Sequence, residues 1–126
     1  MNGEQWISPN NIAKRSAITR PTDKFIWTEG ADMRGENLGS WEMTLGTGPD
    51  FSQAAFGDSP AAFHGNVSIF NFCDGHAESH KWVNGDTILL ANSLAPGKDS
   101  SGFTGKNPGN PDAVWVAKHY AGNQNR

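Results

Sequence analysis

Histidine and carboxylate side chains recur at every second position after residue 75. The segment His76-Ala77-Glu78-Ser79-His80 places His76, Glu78 and His80 at positions i, i+2 and i+4. Successive side chains of a β-strand point to opposite faces, so these three would share one face of a strand. Imidazole and carboxylate groups bind zinc and other borderline divalent cations. The spacing therefore predicts either a metal site or the polar face of an amphipathic strand, and the polar face requires no ligand.

Acidic residues in loops offer a second candidate cation site. Carboxylate and carbonyl oxygens near four aspartates could bind a structural calcium ion, and these residues are Asp50, Asp58, Asp99 and Asp112. The regular Asp/Asn/Gly spacing of a dedicated calcium loop is absent from all four segments. We therefore predict no required cofactor, with a structural calcium or another divalent metal as the alternative.

The nucleophilic side chains do not form a recognisable catalytic motif. Cys73 lies within a strand-like run, and neither Ser68 nor Ser79 has the glycine-flanked turn that presents a catalytic serine. A catalytic pairing with His64 or His76 therefore has no support in the local pattern. Because Cys73 is the only cysteine, no intrachain disulfide can form, and we expect it to be a small core residue.

The strongest structural signal is a hairpin around Asp74-Gly75. Runs of strand-like composition lie on both sides of this dipeptide, over 67–72 and 76–83. The pattern predicts a type I′ turn, in which both central residues have positive φ. Asp74 would accept backbone N–H bonds within the turn, and His64 would bond a loop carbonyl where the chain enters the sheet.

The remaining chain predicts a small α+β domain with much irregular structure. We expect strands over 24–28 and 40–45, and short helices over 12–18, 88–92 and 113–121. Asp86 or Thr87 would cap the second helix, and Asp112 would cap the last one. Glycine, proline and polar residues predict exposed loops over 46–60 and 95–112. The whole chain, 1–126, would form one domain around a small antiparallel sheet.

Composition narrows the classes of function. The chain has 126 residues, which suits one modest core, and its net charge of −3 gives no reason to expect a nucleic-acid partner. Aromatic rings stack on sugars, so the tryptophans suggest a carbohydrate- or ligand-binding module as an alternative function. These tryptophans are Trp6, Trp27, Trp41, Trp82 and Trp115.

The spacing around the hairpin also resembles a known bacterial domain. His64, a nine-residue spacer and Asp74-Gly75 are similar to the H-X9-DG, or prepilin-type processing-associated, domain at the C-terminal end of pseudopilin-like proteins. The continuation through Trp82 is similar as well. Weaker similarity extends over three other segments, which are 20–29, 39–42 and 112–120.

This resemblance implies the globular head of a pilin-like protein without its N-terminal helix. It implies a non-enzymatic role in assembly or surface display, with pilin-like or secretion-system proteins as partners and an extracytoplasmic location. A leader and an apolar helix would be encoded upstream of Met1, and the head alone would be a monomer or a weak oligomer. The alternatives are a carbohydrate- or ligand-binding extracytoplasmic module, or a metal-dependent enzyme that uses His76, Glu78 and His80.

Overall fold

A computed structural model of the chain describes residues 14–31, 41, 43–93 and 109–120. It confirms a small α+β fold, in which two antiparallel sheets are accompanied by short helices. The first described element is a 3-10 turn at Arg15–Ala17. Five strands follow in chain order, namely β1 (Phe25–Thr28), β2 (Met43–Thr44), β3 (Ala55–Phe56), β4 (Val67–Phe72) and β5 (Ala77–Lys81). The two helices come last, and they are α1 (Gly85–Ser93) and α2 (Pro111–His119).

The larger sheet is built around β4. Its strand order is β1-β4-β5, and both neighbours run antiparallel to β4. The predicted hairpin is therefore confirmed as β4 and β5, with Phe70 opposite Glu78 and Ser68 opposite His80. The strands β2 and β3 form a separate two-stranded sheet, so the predicted strand over 40–45 is limited to Met43–Thr44 among the described residues.

The hairpin turn differs from the predicted type. Gly75 has a φ of 105°, as expected, but Asp74 is not among the residues with positive φ. The amide of Gly75 donates to the carbonyl of Phe72 at 3.0 Å, which closes a turn before the glycine. The prediction of a type I′ turn is therefore wrong, and the connection is a three-residue loop that ends on a left-handed glycine.

Two consecutive left-handed residues occur instead at the other end of β4. Gly65 and Asn66 have φ values of 68° and 64°, and they turn the chain directly into the strand. Glycine and asparagine are the residues that tolerate this region best. Each end of the central strand is thus defined by a turn that needs a particular residue type.

The inner face of the larger sheet forms an aromatic core. Phe25, Phe70 and Phe72 are buried there, and the rings of Phe25 and Phe70 meet edge to face with centroids 5.0 Å apart. Trp82 is also buried, and its indole N–H donates to the Ala61 carbonyl at 2.7 Å. Such ring pairs stabilise a core beyond the area that they bury. Residues of α2 and β3 complete the cluster, namely Ala113, Val116, Ala117 and Phe56.

Parts of the predicted loops are buried in this fold. Phe51, Ala54 and Asp58 are buried in the segment 46–60, so its prediction as a surface excursion is wrong. Side-chain packing of this segment against the sheets overrides its turn-rich composition. Of the loop predicted over 95–112, residues 95–108 lie outside the described residues, and α2 already begins at Pro111.

Both helix caps are asparagines rather than the predicted residues. The Asn84 side chain accepts the amide of Asp86 at 2.9 Å at the start of α1. Asn110 is the N-cap of α2 and accepts the amides of Asp112 and Ala113. The predicted caps are therefore wrong, because Asp112 lies inside the first turn and its carboxylate binds elsewhere. The predicted helix over 12–18 is limited to the 3-10 turn among the described residues.

Candidate functional site

The motif histidine His64 is held by a carboxylate from another strand. Its Nε2 lies 3.2 Å from Oε1 of Glu29, which directly follows β1. The second oxygen of Glu29 accepts the amide of Ile69 in β4 at 3.0 Å. The prediction that His64 bonds a loop carbonyl is therefore wrong. Glu29 instead joins the entry of β4 to the end of β1, and neither its position nor its partners gave a signal in the sequence.

The motif residue Asp74 organises the turn at the opposite end of β4. Its Oδ1 accepts the backbone amide of His76 at 3.1 Å and lies 2.7 Å from Nδ1 of the same histidine. The bond to the backbone amide, helped by the imidazole, lowers the pKa of Asp74 although partial burial opposes this effect. The predicted role of Asp74 as an acceptor within the turn is confirmed.

The histidines after the turn face the aromatic core. The ring of His76 stacks on Phe72, with centroids 4.4 Å apart and planes 10° apart. The ring of His80 stacks on Trp115 of α2, at 3.9 Å and 19°. Register pairs His80 with Ser68 and Glu78 with Phe70, so the three candidate ligands follow the expected alternation. His76 and His80 therefore lie at the margin of the core, whereas Glu78 is exposed to solvent.

A metal centre is not assembled at these positions. Among the residues that the structure describes, no three histidine, cysteine or acidic side chains come close enough together to hold a metal ion. His76 is engaged with Asp74, and His80 lies 3.4 Å from Asp112. Metal binding by His76, Glu78 and His80 stays a prediction that requires these contacts to rearrange.

The four aspartates proposed for calcium have separate environments. Asp50 accepts the amide and the hydroxyl of Ser52, and these bonds lower the pKa of its carboxyl. Asp58 and Asp112 are buried, and Asp99 lies outside the described residues. Calcium binding therefore also stays a prediction, with no cluster of acidic oxygens in the described ranges to support it.

Asp112 is a buried carboxylate with several hydrogen-bond donors. It accepts the backbone amides of Val83 and Asn84, at 3.1 and 2.9 Å, as well as the contact from His80. Burial alone would raise the pKa of Asp112, but the bonds from His80, Asn84, Val83 and Thr87 outweigh burial and lower it. This carboxylate therefore fastens the start of α2 to the connection between β5 and α1.

A buried lysine fastens the other end of α2. Lys24 precedes β1, is inaccessible to solvent, and donates its ammonium protons to the carbonyl of Lys118. A cation near the last carbonyls of a helix is favoured by the helix dipole. Burial, with a smaller contribution from Arg20, nevertheless lowers the pKa of Lys24 to about 8, although Asp23 and Cys73 oppose the shift. This contact has no signal in the sequence, because nothing in the local pattern marks Lys24 as buried.

The outer face of the larger sheet carries an exposed tryptophan. The register of β1 against β4 shifts between Phe25 and Trp27, so β1 contains a bulge. Trp27 lies opposite Asn71, on the face away from Phe70, and 64% of it is exposed. The half-buried residues of β4 on this face are Val67 and Ile69.

The other described tryptophans take part in packing. Trp82 is buried, and Trp41 and Trp115 are partly buried hydrophobic residues against the core. Trp6 lies outside the described residues. An aromatic platform made of several tryptophans is therefore not present in the described part of the chain, and Trp27 is the one that remains open to a ligand.

Comparisons of the chain with models of protein families, with curated proteins and with solved structures found no match. Within the described ranges, no helix has both the length and the apolar character needed to cross a bilayer.

Proposed function

We propose that this chain is the non-enzymatic globular head of a pseudopilin-like protein that acts in assembly or surface display. The observation that carries the proposal is the outer face of the larger sheet, where the exposed Trp27 lies opposite Asn71 and shares the face with the half-buried Ile69 and Val67 of β4. A large exposed aromatic residue on a face that also carries aliphatic side chains is typical of a surface that contacts another protein. The partner would be an apolar segment of a pilin-like or secretion-system protein.

The motif residues support this proposal by their roles in the fold. His64 and Asp74 hold the two ends of β4, and each of them is engaged with a side chain or backbone group of the same chain. These contacts support a role for His64 and Asp74 in maintaining the shape of a head. Cys73 is likewise buried, so its thiol is covered by the core.

The proposal places the parent protein outside the cytoplasmic membrane. Its first test is the DNA upstream of the codon for Met1, where we expect a leader and an apolar segment in frame. Its second test uses the protein in its native bacterium, by cross-linking and co-purification with pilin-like or secretion-system proteins. Trp27→Glu should reduce the cross-linked yield at least tenfold, whereas Phe63→Glu should leave it unchanged. Phe63 is a matched control because it is exposed to a similar extent, 65%.

The exposure of Trp27 also favours a second candidate, the binding of a carbohydrate by stacking on a single indole. A glycan array with the purified chain separates the two functions. Clear glycan binding that is lost in Trp27→Ala would replace the assembly proposal. A stoichiometric transition metal in the purified chain would instead favour the metal-dependent enzyme that uses His76, Glu78 and His80.

A further inference from the structure

The outer edge of β5 is the second unusual surface of this protein. Among the described strands β5 lies at the edge of the larger sheet, and its residues are exposed except for the half-buried His80. The strand contains no proline, no glycine and no register shift. Natural proteins protect an edge with such features, and also with short strands and charged side chains, because an open edge pairs with strands of other chains. β5 has five residues and carries Glu78 and Lys81, so its edge is protected by length and charge alone.

The hydrogen bonds between β4 and β5 show which backbone N–H and C=O groups of β5 point away from the sheet. The amide of Phe72 donates to the carbonyl of His76, and the amide of Trp82 donates to the carbonyl of Asn66. Hydrogen-bonded positions alternate along an antiparallel strand, so the even-numbered residues of β5 bond β4. The odd-numbered residues, Ala77, Ser79 and Lys81, therefore direct their N–H and C=O groups away from the sheet.

We propose that this edge pairs with β5 of a second copy of the chain, antiparallel and with Ser79 facing Ser79 across a two-fold axis. This register gives the longest overlap of the two strands, with about six backbone hydrogen bonds. It places Glu78 of one copy opposite the half-buried His80 of the other, so that no two like charges lie directly opposite each other in this register. It also places Lys81 opposite Ala77, so the two lysines are about 13 Å apart.

The small side chains of β5 leave this approach open. Ala77 and Ser79 lie opposite Asn71 and Ile69 on the outer face of the sheet, where short side chains cannot obstruct a neighbouring strand. A contact limited to one short strand buries less surface than a permanent dimer requires, so the association is weak. We expect dimers at concentrations on the order of hundreds of micromolar and monomers at a few micromolar.

Proline at position 79 tests the pairing without removing a bond to β4. Because the N–H of Ser79 points outward, Ser79→Pro deletes only the donor that a second copy would use. In sedimentation equilibrium, Ser79→Pro should raise the dissociation constant at least tenfold, whereas Ser79→Ala should match the parent. If Ser79→Pro loses the near-ultraviolet circular dichroism of the fold, Ser79→Lys replaces it, since it sets two like charges opposite each other.

Cross-linking tests the register directly. Ser79→Cys should form a disulfide-linked dimer under mild oxidation, because directly opposite residues are within disulfide reach. Asn71→Cys is the matched control, since Asn71 is exposed on the central strand and should remain uncross-linked. A parent chain that stays monomeric at millimolar concentration, or a Ser79→Cys variant that cross-links no faster than the control, would overturn the proposal. This edge is separate from the surface around Trp27, so either proposal can fail without the other.

Discussion

Two aspartate–histidine pairs in this protein have the same chemistry and different structural roles. Asp74 and His76 are two residues apart, and both are substantially exposed. Asp112 and His80 are 32 residues apart, and the carboxylate is only 1% exposed. The exposed pair shapes one turn, whereas the buried pair joins β5 to α2. Burial and sequence separation, rather than the pairing itself, decide how much of the fold depends on each carboxylate.

The largest expected effect is the loss of the buried carboxylate. Asp112→Ala should lower the free energy of unfolding by about 3 kcal/mol, because the amides of Val83 and Asn84 lose a buried acceptor with which they form part-buried hydrogen bonds. Chemical denaturation at pH 7 measures this change. Asp86→Ala is the control, since Asp86 is an exposed acid in the first turn of α1. Equal losses in the two variants would mean that the buried Asp112 contributes no more to stability than an exposed acid.

The same carboxylate should give the fold an acid-sensitive contribution. The pKa of Asp112 is lowered in the folded state, so its stabilisation is present above the pKa of the unfolded chain, about 4. This stabilisation is lost as the pH falls through the lower pKa that Asp112 has in the folded state. The stability difference between the parent and Asp112→Asn should therefore shrink below about pH 4. A difference that stays constant between pH 7 and pH 3 would contradict the assignment.

The turn that contains the exposed pair depends more on its glycine than on its carboxylate. Gly75→Val should lower the free energy of unfolding by about 2 kcal/mol, because a β-branched residue is strained at a φ of 105°. No atom lies within 4 Å of a Cβ at this position, so the backbone conformation alone causes the loss. Gly85→Ala is the control, since it also has open space but no positive φ. A parent-like thermal melt of Gly75→Val would refute the turn.

Lys24 extends the comparison to a buried cation. Its pKa is lowered to about 8, so between about pH 8 and pH 10.5 the unfolded chain binds a proton that the folded chain lacks. The stability of the parent relative to Lys24→Met should therefore rise over this window by about 3 kcal/mol. Denaturation midpoints of the two proteins across the alkaline range measure this rise in relative stability. A stability difference that stays constant over this window would contradict the lowered pKa of Lys24.

The smallest expected effect is the loss of the exposed carboxylate. Asp74→Ala removes one acceptor for the amide of His76, and solvent can replace it because the side chain is exposed. We expect Asp74→Ala to lower the melting temperature less than Gly75→Val does. At high salt the difference in melting temperature between the parent and Asp74→Ala should become smaller still. If Asp74→Ala destabilised the domain as much as Asp112→Ala, the contrast between the two pairs would be wrong.

The sequence by itself determined the features that depend on neighbouring residues. The strand over 25–28, the β4–β5 hairpin, the left-handed Gly75 and the acceptor role of Asp74 are confirmed. So is the burial of Cys73. Each of these features follows from alternation of side chains or from the few residue types that a turn accepts, and both act within a few residues. The resemblance to pseudopilin-like proteins, and the function that it implies, stay predictions.

Only the tertiary structure decided which groups meet over long distances. Glu29 rather than a loop carbonyl holds His64, and Asp112 binds Val83 and Asn84 instead of capping its own helix. The bulge that leaves Trp27 exposed and the burial of Lys24 are likewise absent from any local pattern. The sequence positions of these polar side chains were compatible with more than one hydrogen-bond partner. Packing around the aromatic core selected among these partners, because a buried polar group must find its hydrogen bond wherever the fold supplies it.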